Sequence, residues 1–153
     1  MHLLIRFTIL LLAICCYSGC TPNGPLTPSD SFIAVRSALE KNDIKKIGDI
    51  LSSETKEKIY RFLNILSELD EDQLTATADL YNIDADKLRN LEFYGALSLY
   101  FNPGAKLNLR DIFKENIITL DVHGNRAVVR TESGYEIDFV LEGPYWKLDL
   151  SDL

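Results

Sequence analysis

Thiols are scarce in this sequence and are confined to one place. The three cysteines, Cys15, Cys16 and Cys20, lie within six consecutive positions, and none follows position 20. The rest of the chain therefore has no disulfide bond of its own, no cysteine nucleophile and no thiolate metal site.

Basic residues are also in deficit. The chain carries 16 Lys and Arg against 23 Asp and Glu, a net charge of −7. Arg6 is the one charged residue before Cys20, so the remainder is more acidic still. Because an acidic surface repels phosphate backbones, we expect no nucleic-acid partner.

Motifs that carry catalytic chemistry are missing as well. The sequence has no Gly-rich phosphate loop, no Ser-centred nucleophile elbow and no His/Cys set at metal-ligand spacing. We expect His123 in a solvated hairpin turn and Asp138 on the charged face of a strand, whereas general acid–base catalysis needs a sheltered group. The prediction is a protein without enzymatic activity, cofactor or metal.

One segment has part of a calcium-loop pattern. Asn82, Asp84 and Asp86 have the oxygen spacing that opens such a loop, but Lys87 replaces the expected glycine and Phe93 the expected glutamate. An N-cap role for Asp84 at the start of a helix needs fewer assumptions.

No apolar run near the N-terminus is long enough to span a bilayer. The run from Phe7 to Cys16 has ten residues, against the ~20 that a transmembrane helix needs. Its length and the preceding Arg6 are typical of a secretory signal peptide.

The leader ends in Tyr17-Ser18-Gly19-Cys20. This ending resembles the lipobox of bacterial lipoproteins, in which a small residue precedes the cysteine that receives acyl chains, although an aliphatic residue is usual where Tyr17 stands. The resemblance implies a signal peptide over 1–19, lipid attachment at Cys20, and a membrane as partner through the N-terminal acyl chains. The alternative is an ordinary cleaved signal with an incidental cysteine.

The residues after Cys20 predict a flexible tether and bear on which membrane would hold the anchor. Three prolines and one glycine fall within 21–28 and disfavour both helix and strand. We therefore expect a flexible tether over 20–28 and a single domain over 29–153. Thr21, rather than Asp, follows the cysteine, which in enteric-type bacteria favours the outer membrane, with the leaflet left open.

The domain is predicted to be α+β, with an N-terminal half of about five helices. Pro28 opens the first with Thr27 as N-cap, and Asn42-Asp43 ends it and caps the second. Ser53 is predicted to cap the third. Asp70 and Gln73 form a capping box for the fourth.

The fifth helix is predicted from about Ala85 to Phe101, and Asn102-Pro103-Gly104 ends it. The pattern also favours a further short helical turn over Leu109–Lys114, capped by Asn108.

After Asn116 the apolar period changes from helical to alternating. Ile118, Leu120 and Val122 alternate with polar residues, and further alternating segments follow over 126–131, 135–141 and 145–150. Three glycine-containing turns separate four strands, which predicts an antiparallel meander. We expect the helices to cover its apolar face.

Two terminal segments resemble known domains. Ser31–Thr55, a helix, a Lys-Asn-Asp break and a second helix, and the closing Gly143-Pro144-Tyr145-Trp146-Lys147-Leu148-Asp149-Leu150 resemble nuclear-transport-factor-2-like (cystatin-like) domains. The resemblance implies a cone-shaped domain. Aromatic residues would then line a pocket between sheet and helices, or else form an ordinary core; the pocket candidates are Tyr94, Tyr135, Phe139 and Trp146.

The functional hypothesis is a membrane-anchored lipoprotein that acts as a non-enzymatic binding or envelope-associated module. One alternative is a small-ligand carrier or enzyme with a cone-shaped pocket. The other is a surface-exposed interaction lipoprotein, for which an uncovered apolar patch on the first or fifth helix would be the sign.

Overall fold

The computed structural model describes residues 24–102 and 108–152, where seven helices precede four strands. The helices are α1 (Pro28–Glu40), α2 (Ile44–Ile50), α3 (Ser53–Glu68), α4 (Glu71–Tyr81), α5 (Ala85–Arg89), α6 (Phe93–Leu99) and α7 (Leu109–Ile112). The strands are β1 (Ile117–His123), β2 (Arg126–Thr131), β3 (Glu136–Glu142) and β4 (Tyr145–Asp149). The predicted α+β class is confirmed. The predicted signal peptide, Cys20 and positions 21–23 lie outside the described residues.

Most helix starts follow from local hydrogen bonds that the sequence predicts. Thr27 and Asp43 cap α1 and α2 through their side chains, and Asp70 and Gln73 form the capping box of α4. The prediction for α3 was wrong by one residue, since the cap is Ser52, whose Oγ accepts a hydrogen bond from the Thr55 N–H at 3.0 Å.

The long fifth helix is wrong as predicted, because the chain breaks at positions 90–92 into α5 and α6. The Asn90 side-chain Nδ2 and backbone N–H both donate to the Asp86 carbonyl, at 2.7 and 3.2 Å. The Leu91 N–H then donates to the Leu88 carbonyl at 3.3 Å, three residues back, so the α-helical pattern stops there. The short helix α7 ends at Ile112 rather than Lys114. Its predicted cap, Asn108, makes no capping bond, since its amide donates to the Asp111 carboxylate instead.

The four strands form a meander in the order β1-β2-β3-β4, and every pairing is antiparallel. Each connecting turn has a glycine with positive φ: Gly124 at 62°, Gly134 at 82° and Gly143 at 60°. These values suit glycine because it has no Cβ to clash with the backbone. The predicted meander and its turns are confirmed.

The main core lies between the helices and one face of the sheet. Phe139 on β3 pairs with Leu148 on β4, and both are buried against the helical half. The Phe32 ring of α1 lies 4.8 Å from that of Phe113 between ring centroids. A smaller cluster holds α3, α4 and α5 together, and its buried members are Leu66, Leu74, Ala78 and Leu88.

The helices do not cover the whole apolar face, which corrects the prediction. Leu120 and Val122 on β1 pair with the buried Val129 and Ala127, so they share the covered face of the sheet. They nevertheless remain 37% and 50% exposed, and Ile118 is 60% exposed. The helical layer thus reaches only the start of β1, where Ile117 packs against the core, and leaves the rest of that strand uncovered.

The outer edge of β4, here called the covered edge, is bonded to the helical half. The Trp146 N–H donates to the Pro25 carbonyl at 3.0 Å, and the Ser31 hydroxyl donates to the Trp146 carbonyl. Further along, the Ser52 N–H donates to the Leu148 carbonyl at 2.8 Å. These bonds satisfy backbone groups that an edge strand would otherwise leave open to water or to another strand.

No helix within the described ranges is both long and apolar enough to cross a bilayer.

Candidate functional site

The four aromatic residues predicted to line a pocket do not come together. Phe139 and Trp146 are buried in the main core at 1% and 8% exposure. Tyr135 lies in the turn before β3 and Tyr94 on the surface of α6, at 46% and 41% exposure. Phe139 and Trp146 therefore follow the ordinary-core alternative, and the remaining two are surface residues.

Tyr94 belongs instead to an aromatic group on the helical surface. Its ring packs edge-on against Phe93 at 5.3 Å, and Phe93 lies 5.1 Å from Tyr60 of α3. Gly48 of α2 allows the close approach, because a Cβ there would stand 2.8 Å from the Tyr94 ring. The contact fixes α6 against α2 and α3.

His123 and Asp138 occupy the exposed positions that the sequence predicts. His123 is the last residue of β1, next to the Gly124-Asn125 turn, and it is exposed. Asp138 is exposed on β3, directly opposite Asp149 on β4. Both residues are open to solvent.

Asp149 is the buried carboxylate that sequence reasoning missed. It is 7% exposed, and its Oδ1 accepts hydrogen bonds from the Ser52 and Thr55 hydroxyls, both at 3.1 Å, and from the Ser151 N–H at 3.2 Å. Thr55 Oγ1 in turn accepts the Leu150 N–H at 2.7 Å. We call Ser52, Thr55 and Asp149 the polar junction, since it joins the start of α3 to the end of β4.

The two opposed carboxylates have pKa values shifted in opposite directions. Burial raises the pKa of Asp149, but the hydrogen bonds from Ser151, Ser52 and Thr55 outweigh burial and bring the pKa below its ordinary value. Burial raises the pKa of Asp138, and the charges of Asp149 and Asp152 raise it further. A cavity of about 30 Å³ adjoins the pair, which is room for about one water molecule.

The segment with the partial calcium pattern acts as a helix start. The Asp84 carboxylate accepts hydrogen bonds from the Asp86 and Lys87 N–H groups at 3.0 and 3.3 Å, so the predicted N-cap is confirmed. Over 24–102 and 108–152, no three His, Cys, Asp or Glu side chains are grouped closely enough to hold a metal ion.

A larger open groove lies on the helical side of the molecule. Its volume is about 410 Å³, within the ~300–1,000 Å³ range of small-molecule sites. Its apolar wall comes from α5, α6 and the residues next to them, and Lys87 and Arg110 are its charged lining residues. The lining residues are Asn42, Ile44, Ile83, Lys87, Leu91, Gly95, Ser98, Leu99, Phe101, Asn102 and Arg110.

Two local features shape this groove. Gly95 allows Leu91 to lie close, because a Cβ at position 95 would stand 2.8 Å from the Leu91 Cδ2. Arg110 donates to the Leu39 carbonyl at 2.9 Å and to the Asn42 side-chain oxygen at 3.1 Å, which fixes α7 to the end of α1. Asn42 has a φ of 53°, the left-handed conformation typical of a residue that ends a helix.

The residues that precede α1 lie against β4. Gly24 lies so close to the Tyr145 ring that a Cβ would stand 2.8 Å from it. Pro25 accepts the Trp146 N–H, and Pro28 is buried. Gly24, Pro25 and Pro28, which fall in the segment predicted as tether, are thus packed against the domain.

Comparison with known proteins gives one partial match. Over 85 residues the chain is 36% identical to a probable V-type proton ATPase subunit of Caenorhabditis elegans, and the match covers 52% of this chain and 17% of that protein. No protein-family profile matches the sequence, and no solved structure matches the chain. The chain therefore spans about a sixth of the length of this curated relative.

The polar junction predicts opposite effects for two matched substitutions. Asp149→Asn should lower the free energy of unfolding at neutral pH by about 1–3 kcal/mol, because it weakens hydrogen bonds to a buried carboxylate. Asp138→Asn should raise the thermal midpoint, because it removes repulsion against Asp149. Chemical denaturation and thermal melts of both variants measure these effects.

The two effects should also depend on pH with a defined sign. Asp149 has a lowered pKa in the folded state, so its stabilisation is complete above the unfolded pKa and is lost as pH falls through the folded pKa. Asp138 has a raised pKa, so its penalty fades on acidification. The difference in stability between each variant and the unmodified chain should therefore shrink towards pH 3. Equal effects of the same sign at pH 7 would refute the assignment.

Proposed function

We propose that this chain is a lipid-anchored bacterial envelope protein whose domain binds a partner and catalyses no reaction. The observation that carries the proposal is the leader that ends in Tyr17-Ser18-Gly19-Cys20. The apolar segment before it has the length of a signal peptide, and the cysteine stands where a lipobox places the acylated residue.

The position of Gly24 sets how closely such an anchor would hold the domain. Cys20 and Gly24 are four residues apart, so their Cα atoms would be at most about 14 Å apart. Two or three acyl chains anchor a protein stably. The start of β4 and the N-terminal end of α1 would then face the membrane, since Gly24 and Pro25 pack there.

The proposal of a non-enzymatic module rests on how the polar groups are used. Asp149 accepts hydrogen bonds from the backbone and hydroxyl groups that hold β4 to α3. Phe139 and Trp146, which would line a cone-shaped pocket, lie in the packed core. The partial match to a proton ATPase component covers too little of that protein to indicate a shared partner.

Acyl labelling tests the anchor directly. The full chain would be expressed in a bacterial host with an alkyne analogue of palmitate, and the labelled fraction measured alongside the intact mass of the N-terminal peptide. The unmodified chain should carry label on a peptide that begins at Cys20, and Cys20→Ala should lose the label completely. Membrane partitioning is a poor readout here, because an uncleaved leader would itself hold the precursor in the membrane.

The matched control is Cys16→Ala, which removes a neighbouring thiol and should leave labelling and cleavage unchanged. Label that persists in Cys20→Ala, or a mature chain that begins elsewhere, would refute the anchor.

A second candidate function, small-ligand carriage, is favoured by the groove between α5, α6 and α7. Its apolar wall and the two cations that line it, Lys87 and Arg110, fit an apolar molecule that carries an anionic group. This is a different location from the cone-shaped pocket predicted between sheet and helices.

Native mass spectrometry of the full chain, purified gently from its host, tests carriage. A bound ligand should add a small, reproducible mass, which Ser98→Trp should abolish because the larger side chain fills the groove. Ser67→Trp, on the exposed surface of α3, is the control and should retain the added mass. If the unmodified chain showed only its own mass, with no ligand added, small-ligand carriage would be refuted.

A further inference from the structure

The two edges of the sheet differ sharply. The covered edge, β4, is bonded to Pro25, Ser31 and Ser52, as described above. The other edge, β1, pairs with β2 alone and has no strand or helix bonded to its outer side among the described residues; we call it the open edge. It presents Ile118, Leu120 and Val122, all exposed, and has no Lys or Pro to discourage another strand. The one irregularity is a β-bulge at Ile118, where the register with β2 shifts between Ile117 and Thr119.

The register shows which backbone groups face outward from the open edge. The Leu141 N–H donates to the Asn125 carbonyl at 2.7 Å, so the backbone N–H and C=O groups of Asn125 point towards β3. The backbone groups of its alternate neighbours Ala127 and Val129 point the same way. The backbone groups of the residues between them, Arg126, Val128 and Arg130, therefore point towards β1. There these residues pair with His123, Asp121 and Thr119, respectively. It follows that the N–H and C=O groups of Leu120 and Val122 point away from the sheet.

The same register places the side chains of Leu120 and Val122 on the helix-covered face of the sheet, beyond the last helix. A strand added at the open edge would complete both the hydrogen bonds and the apolar layer.

We propose that β1 pairs antiparallel with β1 of a second copy of this chain, about a twofold axis at Leu120. Each Leu120 would exchange both backbone hydrogen bonds with its symmetry mate, and Thr119 would lie opposite Asp121. Val122 of each copy would lie next to the bulge at Ile118 of the other. Leu120 is the central residue of Ile117–His123, so the two strands overlap along their length, and the regular ladder ends at the bulge. The two four-stranded sheets become one eight-stranded sheet with both helical layers on the same side.

Charge favours this register over its neighbour. An axis at Asp121 would place two Asp121 carboxylates opposite each other, which is destabilising. An axis at Leu120 places each Asp121 opposite Thr119 instead.

Charge at the strand ends also fits two copies that run antiparallel. At the start of β1, the Glu132 carboxylate accepts hydrogen bonds from the backbone N–H and the side-chain amide of Asn116. The Glu115 carboxylate accepts from the N–H and the hydroxyl of Ser133. Beyond the end of β1 stands Arg126, which forms no ion pair within the described ranges. Antiparallel pairing brings the acidic end of each strand towards the basic end of its mate, so attraction between ends offsets part of the repulsion between two acidic chains.

Substitutions on adjacent residues separate this pairing from other associations. Leu120→Lys places two like charges at the axis and should raise the dimer dissociation constant at least tenfold. Thr119→Lys adds the same charge one residue away, opposite Asp121 of the mate, and should leave the dimer as tight or tighter. Sedimentation velocity of the full chain in a mild detergent measures both.

A backbone variant provides an independent check. Val122→Pro removes an N–H that points away from β2, so the thermal midpoint should hold while the dimer is lost. Cys20→Ala should keep the dimer, which separates failure of this proposal from failure of the lipid anchor. An unmodified chain that is monomeric, or a dimer that Leu120→Lys leaves intact, would overturn the proposal. If a different protein co-purified with the unmodified chain and was lost from Leu120→Lys, the partner at β1 would be that protein and not a second copy, and the proposal would be wrong.

Discussion

The polar junction at Ser52, Thr55 and Asp149 is the constraint on which the rest of this structure depends. The helical half and the sheet are separate blocks of sequence, and they meet where the start of α3 reaches the end of β4. There one buried carboxylate accepts two hydroxyl hydrogen bonds, and the same Thr55 hydroxyl oxygen accepts the Leu150 N–H. Together with the bond from the Ser52 N–H to the Leu148 carbonyl, the junction satisfies backbone hydrogen-bonding groups on the outer edge of β4. It also aligns the helices over β3 and β4. A buried carboxylate is stable in this place because its Oδ1 accepts three hydrogen bonds.

The position of the junction also explains why the two edges of the sheet differ. Because the helices are tied to β4, they cover β4, β3 and β2 and reach only the start of β1 at Ile117, so Leu120 and Val122 further along β1 remain exposed. The N-terminal segment adds to the same side, since Gly24 and Pro25 lie against Tyr145 and Trp146. A lipid anchor at Cys20 would thus attach near the covered edge, and the open edge, three strands away, would be free to pair with a second copy. The anchor and the pairing surface use different parts of the chain.

Features set by neighbouring residues could be predicted from the sequence, and those set by distant ones could not. The caps at Thr27, Asp43 and Asp70 bond to residues three positions away, and the meander follows from alternation and three glycines. By contrast, Thr55 and Asp149 are 94 positions apart, and nothing in the local pattern marks them as partners. Alternation identified the face of Leu120 and Val122 correctly, but the width of the helical layer decides their exposure. Burial of an aromatic side chain also depends on which elements pack over it, so the aromatic pattern could not distinguish the buried Phe139 from the exposed Tyr135.

Amide hydrogen exchange of the full chain, read residue by residue, tests the central claim that side chains and loops of the helical half close the β4 edge. The N–H groups of Trp146 and Leu150 point away from β3, and on this account they bond to Pro25 and to Thr55. They should exchange as slowly as the N–H of Phe139 in the middle of the sheet, through global unfolding alone. In a Thr55→Val variant the Leu150 N–H should exchange much faster while that of Phe139 changes only with overall stability. Rapid exchange at Trp146 and Leu150 in the unmodified chain would contradict the account, because it would show that the β4 edge is open.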